Sequence, residues 1–155
     1  MPHLAAKDNR FGCYAASAVE VRGPAKYSIT FLSGFVRDLG FRRAFLKCDN
    51  EPAIIALRNS LVEVQRRRVS AHRLPEGDHQ SNRLAETAVR EVKRMMRTLR
   101  FATESNFGTT IRNDHPALNH LLRFAANVMN HENLGNDGMT PDQWRTGKRW
   151  HSRPI

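Results

Sequence analysis

Apolar residues recur with helical spacing in four stretches of the chain and form short apolar runs in four others. The helical pattern is clearest over residues 83–103, where one face is apolar and the opposite face is charged. Similar spacing predicts three further helices. One begins near Pro24 and ends at Gly40, one begins at Pro52, and one covers about residues 116–131. The short runs predict strands at residues 3–7, 13–21, 43–48 and 69–74. This order, with strands early and helices between and after them, predicts an α/β sandwich rather than a helical bundle.

The connections between these segments contain typical turn residues. Asp8-Asn9-Arg10-Phe11-Gly12 supplies the chemistry of a hairpin between the first two strands, and residues 75–82 are predicted to form a loop. From the segment order we expect an antiparallel meander of strands 3–8, 12–21 and 43–48, with a short fourth strand near 69–73 and helices on both faces. The side chains expected in the core include Phe31, Phe35, Leu84, Ala88, Val92, Met95, Met96, Leu99 and Phe124.

Length and charge narrow the function classes. The chain has 155 residues, of which 40% are apolar, which suits one domain with a real core. Lys and Arg number 25 against 15 Asp and Glu, so the net charge of +10 favours a polyanionic partner, most often nucleic acid. No apolar run approaches the ~18 residues of a spanning helix, and the first residues lack a secretory signal. Two cysteines are too few for a disulfide framework and fit a reducing compartment.

Two acidic residues carry the candidate chemistry. Asp49 follows a predicted strand, at the sheet edge where α/β proteins place their ligands, and Glu86 opens the predicted helix 83–103. The interval 50–85 holds 36 residues, enough for a helix and a strand that return the chain to the same edge. Carboxylates held close together in a basic environment are what Mg²⁺ or Mn²⁺ needs for phosphoryl transfer.

A structural explanation of the same residues stays open at this point. Asp49 could cap the helix that begins near Pro52, with Asn50 as the rival cap. Glu86 could be a first-turn acid that favours the helix dipole and pairs with Arg90 four residues later. In that case the chain is a basic structural or assembly module, and neither acid has a chemical role.

Both acids lie in longer motifs, Leu46-Lys47-Cys48-Asp49-Asn50-Glu51-Pro52 and His79-Gln80-Ser81-Asn82-Arg83-Leu84-Ala85-Glu86. These segments resemble the integrase catalytic core of retroviruses and LTR retrotransposons, which has a ribonuclease-H-like fold. The first is similar to the segment of that family in which a strand leads into the second catalytic Asp. The second is similar to the run that leads into the catalytic Glu, although Arg83 stands where the family prefers Gly. Thr140-Pro141 with Trp144 and Gly147-Lys148 is like the closing segment of the family.

The resemblance implies a three-layer sandwich with a mixed sheet flanked by helices, and an Asp-Asp-Glu triad that binds two metal ions. Asp49 matches the second acid and Glu86 the third, so both are expected to be catalytic and to ligate Mg²⁺ or Mn²⁺. The two matched motifs imply that their carboxylates face one another across a shared cleft, within roughly 4–8 Å. The first strand and its acid have no counterpart here, because Asp8 resembles a turn residue at the end of the second strand. We therefore expect residues 1–150 to form an integrase core that is incomplete at its N-terminus, with 151–155 as a tail. Such a chain is expected to lack strand-transfer activity alone.

The resemblance also implies partners. The face of the helix that carries Glu86 continues through Arg90, Lys93 and Arg97, which together with Asn82 are expected to contact DNA, both element ends and target DNA. For Arg66-Arg67-Arg68, the densest charge run, a solvated edge and a DNA contact remain equal alternatives. The intact family implies a homo-oligomer and no membrane. We expect an intracellular protein, nuclear if the source is eukaryotic, and not a secreted one.

Overall fold

The structure is a computed structural model that describes residues 2–71 and 79–149, with only the backbone described for residues 79–82. The strands are β1 (His3–Lys7), β2 (Tyr14–Ala18), β3 (Ala44–Leu46) and β4 (Val69–Ala71). The helices are α1 (Lys26–Asp38), α2 (Pro52–Val64), α3 (His79–Phe107), α4 (Ala117–Glu132) and α5 (Pro141–Thr146). The fold is therefore mixed α/β, as the sequence predicts.

The strands β1 and β2 form the predicted antiparallel hairpin, with Ala5 opposite Ala16. Its turn is held by Asp8, whose two carboxylate oxygens accept from the backbone N–H groups of Arg10 at 3.1 Å and Phe11 at 2.6 Å. Gly12 follows with φ of 76°, a left-handed conformation that glycine adopts at little cost. The prediction that Asp8 is a turn residue is confirmed.

The predicted meander is wrong at its third strand. Within the described residues, β3 pairs in parallel with β4, Ala44 opposite Val69, and the hairpin forms a separate two-stranded sheet. Parallel neighbours need a crossover, and the 13-residue helix α2 supplies it between β3 and β4. The described strands thus form two small sheets, and no complete ribonuclease-H-like sheet is seen in them.

Several element boundaries differ from the predicted ones. The predicted strand 43–48 shortens to three residues, and of the predicted strand 69–74 only Val69–Ala71 lies in the described part. The predicted loop 75–82 falls partly outside the described residues, but the backbone of 79–82 is helical, so α3 begins earlier than predicted. Gly40 ends α1 as predicted, with φ of 72°.

The main core lies between the hairpin and the helices α3 and α4. Its buried members are Tyr14, Ala16, Ala88, Val92, Leu122, Ala126 and Met129, with Met95 and Met96 packed at its margin. Ala16 of the hairpin belongs to this core, and Ala5 and Ala18 pack against it. This core fixes α3, the helix that carries Glu86, against the first sheet.

Two apolar side chains predicted in the core are exposed instead. Phe124 is 53% exposed, because the buried stripe of α4 runs through Leu122, Ala125, Ala126 and Met129 and leaves Phe124 to one side. Leu84 is 51% exposed, because the packed part of α3 begins one turn later, at Ala88. Of the helices in the described part of the chain, none has the length and apolar character to cross a membrane.

Candidate metal and nucleic-acid site

Asp49 lies in the connection between β3 and α2, three residues after Leu46, and its side chain is exposed. Its Oδ1 accepts from the backbone N–H of the neighbouring Asn50 at 2.7 Å. The cap of α2 is Glu51, which makes no side-chain capping hydrogen bond, and Pro52 begins the helix without needing a donor partner. The alternative in which Asp49 or Asn50 caps α2 is therefore wrong.

Glu86 is exposed on α3, in the third turn rather than the first, because the helix begins at His79. The prediction of a first-turn position is wrong, and the favourable interaction with the helix dipole is lost with it, since that effect falls off within the first turn. Arg90, the predicted ion-pair partner, instead donates to Thr87 Oγ1 at 3.3 Å. Within the described residues, Glu86 has no ion pair. Neither acid is thus used by the fold in the way that the structural explanation requires.

The chemistry of the two carboxylates suits a hard divalent cation, because both offer oxygen ligands in a basic protein. A third donor is not at hand: in the described residues no three His, Cys, Asp or Glu side chains are grouped to hold a metal ion. Asp8 is committed to the hairpin turn. The separation of 4–8 Å between the Asp49 and Glu86 carboxylates stays a prediction.

The stripe of basic residues predicted on α3 is present and faces solvent. Arg90 and Arg97 are exposed, and Lys93 is half-buried. Sequence reasoning omitted Arg94, which is also exposed and lies about 80° around the helix from Glu86. A sequence prediction that covered a wider arc of the helix surface around Glu86 would have included Arg94. Within the described residues, Lys93, Arg94 and Arg97 form no ion pair, so their charges are available to a partner; the side chain of Asn82 lies outside the described part.

A second group of polar residues ties α3 to the hairpin, and no sequence pattern indicated it. Glu91 accepts a hydrogen bond from the Tyr14 hydroxyl and pairs with Lys7 Nζ at 3.3 Å, and that ammonium lies 4.6 Å from the Tyr14 ring centroid. Partial burial alone would raise the pKa of Glu91, but the hydrogen bond from Tyr14 and the charge of Lys7 outweigh it and lower that pKa. Burial and the same hydrogen bond raise the pKa of Tyr14. The group holds in place the helix that carries Glu86.

A cavity of about 400 Å³ lies between β2, α1, α4 and the start of α5. Cys13 is on its wall, but burial raises the pKa of the thiol to about 11, so it stays protonated and is a poor nucleophile. Asp142, also on the wall, is paired with Arg145 and lies 3.5 Å from His131 Nδ1. These contacts fasten α5 to α4, which is a structural use of the residues.

Comparison with solved structures identifies the fold. The chain superposes on the catalytic core domain of BIV integrase with a TM-score of 0.60, covering 94% of this chain and 85% of that domain at 18% sequence identity. The chain therefore has the fold of an integrase catalytic core, as the sequence motifs predict. No protein-family profile matches the sequence, and comparison with curated proteins gives no significant match.

Proposed function

We propose that this chain is an integrase-like, DNA-binding domain of a mobile element, derived from a metal-dependent DNA strand transferase and inactive by itself. One observation carries the proposal. The two segments that resemble the catalytic motifs of integrases, around Asp49 and Glu86, occur in a chain with the fold of an integrase core. Both acids are exposed. Asp49 is not the cap of α2, and Glu86 does not lie in the first turn of α3, so neither has the structural role that was the alternative to a chemical one.

The stripe on α3 is the proposed DNA contact. Arg90, Lys93, Arg94 and Arg97 lie on one side of a 29-residue helix and form no ion pairs within the described residues, so phosphate groups can neutralise them without breaking an ion pair there. Contacts of this kind position a duplex without reading its sequence, and they release counterions. The affinity we expect is non-specific and sensitive to salt.

Asp49 and Glu86 are the residues that would hold Mg²⁺ or Mn²⁺. When bound, the ion would stabilise negative charge on a reacting phosphate. Glu86 lies on the same helix as the basic stripe, and in the proposed arrangement the stripe would orient the phosphate backbone toward Glu86 and Asp49. Because charge count and ligand number set the affinity for such ions, two carboxylates without the third acid of the family bind weakly.

Inactivity of this chain alone follows from the incomplete ligand set. The catalytic triad of the family needs a first Asp, and no segment of the 155-residue sequence resembles the motif that carries it. Asp8 is the nearest counterpart along the sequence, but both of its carboxylate oxygens accept hydrogen bonds from the hairpin backbone. A metal ion at Asp8 would compete with those two hydrogen bonds for the carboxylate oxygens and weaken the turn.

The experiment that tests the proposal measures binding of a fluorescent DNA duplex over a range of salt concentrations. We expect a dissociation constant of about 10⁻⁴–10⁻⁶ M at physiological salt that weakens steeply as salt rises. Replacing Arg90, Lys93 and Arg97 together by Glu is expected to remove most of this affinity. Binding that ignores both salt and this triple substitution would contradict the proposal and favour a structural module.

A further inference from the structure

Arginines gather at the end of the β3–β4 sheet that lies away from Asp49. Arg42 and Arg43 immediately precede β3, and Arg66-Arg67-Arg68 immediately precede β4. Because the two strands are parallel and Ala44 is paired with Val69, the two runs meet at the same sheet edge. The backbone N–H of Ala44 donates to the carbonyl of Arg68 at 2.7 Å, so the residues flanking that bond are neighbours.

The set formed by Arg42, Arg43, Arg67 and Arg68 is here named the basic edge. All four are exposed, and within the described residues none of them forms an ion pair. Arg66 differs, because it pairs with Glu63 at 3.0 Å. Four like charges at one end of a small sheet favour a polyanionic partner.

Local backbone geometry holds the basic edge together. The turn that links α2 to β4 is closed by hydrogen bonds from the N–H groups of Arg68 and Val69 to the Gln65 carbonyl, at 2.8 and 2.9 Å. On the other side, Phe41 stacks on Phe11 of the hairpin with ring centroids 5.3 Å apart. The four arginines therefore lie on two anchored turns, so the backbone of this chain loses less conformational entropy when a partner binds.

One further guanidinium adjoins the basic edge. Arg10, in the hairpin turn, lies 5.8 Å from the ring centroid of Phe41, the residue that immediately precedes Arg42. The Arg10 guanidinium thus lies beside the basic edge, and the same turn also holds the carboxylate of Asp8. Asp49 lies beyond the other end of β3, and three residues of strand alone separate the two ends by roughly 10 Å.

We infer that the basic edge is a second binding surface for the phosphate backbone of duplex nucleic acid. The inference goes beyond the proposed function, because it involves neither α3 nor the two acids. Guanidinium groups match phosphate oxygens in geometry and in charge, and they make paired hydrogen bonds that a point charge does not. Contacts to the phosphate backbone carry no sequence information, so we expect this binding to be independent of sequence and salt-dependent.

The test replaces Arg42, Arg43, Arg67 and Arg68 together by Gln and measures duplex affinity against salt. Each phosphate contact that is lost lowers the slope of log affinity against log salt by about 0.9, so we expect a decrease of about 2–4 and at least tenfold weaker binding. The matched control removes four exposed charges elsewhere, by Lys26→Gln, Arg112→Gln, Arg123→Gln and Arg149→Gln. Because distant charges are screened, we expect the control to change affinity by no more than about twofold.

Folding of both variants is checked by circular dichroism and thermal unfolding. The bonds that build the basic edge come from the backbone, so the side-chain replacements should leave them intact. If the fourfold variant fails to fold, the pair Arg42→Gln/Arg67→Gln tests the same surface with one residue from each turn. We expect that pair to lower the slope by about 1–2.

The outcomes separate this inference from the proposed function. If the two surfaces are independent, the fold-losses from the basic-edge variant and from the α3 triple variant multiply when combined. If the α3 variant binds normally and the basic-edge variant does not, the inference stands and the DNA contact proposed for α3 fails. A basic-edge variant that matches the control overturns the inference. So does a variant that loses binding to anionic phospholipid vesicles while its duplex affinity is unchanged.

Discussion

The hydroxyl of Tyr14 on β2 donates a hydrogen bond to the carboxylate of Glu91 on α3. These residues are 77 positions apart, and the bond connects the first sheet to the helix that carries Glu86 five residues earlier. Lys7 completes the group from β1. The position of the candidate site therefore depends on a polar contact as well as on the apolar core beneath it.

Tyr14→Phe is expected to destabilise the domain by about 1–2 kcal/mol. The substitution removes a hydrogen bond to a charged acceptor and keeps the ring, so the loss of packing is small. A hydrogen bond to a charged group typically contributes about 1.5–3 kcal/mol. We expect a value at the lower end of that range because the Glu91 side chain is 39% exposed and water can replace the donor. Urea unfolding measures it, with Asp114→Asn, an acid in an exposed ion pair, as the control. Equal stability of the Tyr14→Phe variant and the native chain would contradict the role given to this bond.

The same contact predicts a stability plateau with two sloping ends. The pKa of Glu91 is lowered from 4.5, so its contribution is present above about pH 4.5 and is lost as pH falls through the folded-state pKa. The pKa of Tyr14 is raised from 10.0, so its contribution is full below about pH 10 and is lost as pH rises further. We expect Glu91→Gln to flatten the acid slope relative to the native chain. Unfolding free energies measured at intervals of pH check this, and an unchanged acid slope would assign the effect to other carboxylates.

The connection between α3 and α4 depends on one carboxylate. Glu104 accepts from Arg100 Nε at 2.9 Å and from the backbone N–H of Ile111 at 2.8 Å, while Arg100 also donates to the Ile111 carbonyl. The hydrogen bond from Arg100 is the main reason why the pKa of Glu104 is lowered. Glu104→Gln should therefore increase hydrogen exchange at the Ile111 amide, and in the native chain the same increase should appear as pH falls below about 4.5, after correction for intrinsic rates. Glu132→Gln, on an exposed acid at the end of α4, is the control and should leave that amide protected.

Local pattern predicted the elements well and their assembly less well. Period and end signals placed α1, α2 and α4 within about two residues, because capping and amphipathicity are decided by near neighbours. The pairing of β3 was mispredicted, since a three-residue strand carries no information about its partner. The contact between Tyr14 and Glu91 was invisible for the same reason, as it joins residues far apart in sequence. Asp49 and Glu86 were singled out by position and by motif resemblance. The structure differs from the capping and first-turn roles that were the alternative, and the metal role of both acids stays a prediction.

Weak binding of Mn²⁺ is expected at Asp49 and Glu86. Adding Mn²⁺ to the isotope-labelled chain should broaden amide signals near both residues in NMR spectra, and Asp49→Asn or Glu86→Gln should each abolish the selective effect, because one remaining carboxylate is a poor site. Asp114→Asn serves as the control, since that acid is exposed and paired with Arg112. Broadening that survives both site substitutions would place the ion elsewhere and remove the metal role from these acids.

Asp49→Asn is expected to separate DNA binding from catalysis. The substitution removes one negative charge from a protein that binds phosphates, so duplex affinity should stay the same or rise slightly. Glu86→Gln should behave alike, whereas Arg97→Gln removes a proposed phosphate contact and should lower affinity.

Nicking and joining of DNA in Mg²⁺ or Mn²⁺ should be undetectable for the 155-residue chain, with or without these substitutions, because two carboxylates hold the ions too weakly. A fusion that supplies a strand carrying the first Asp should gain activity, and Asp49→Asn should abolish that gain. Strand transfer by the chain alone would instead mean that another acid, Asp8 first among them, completes the ligand set.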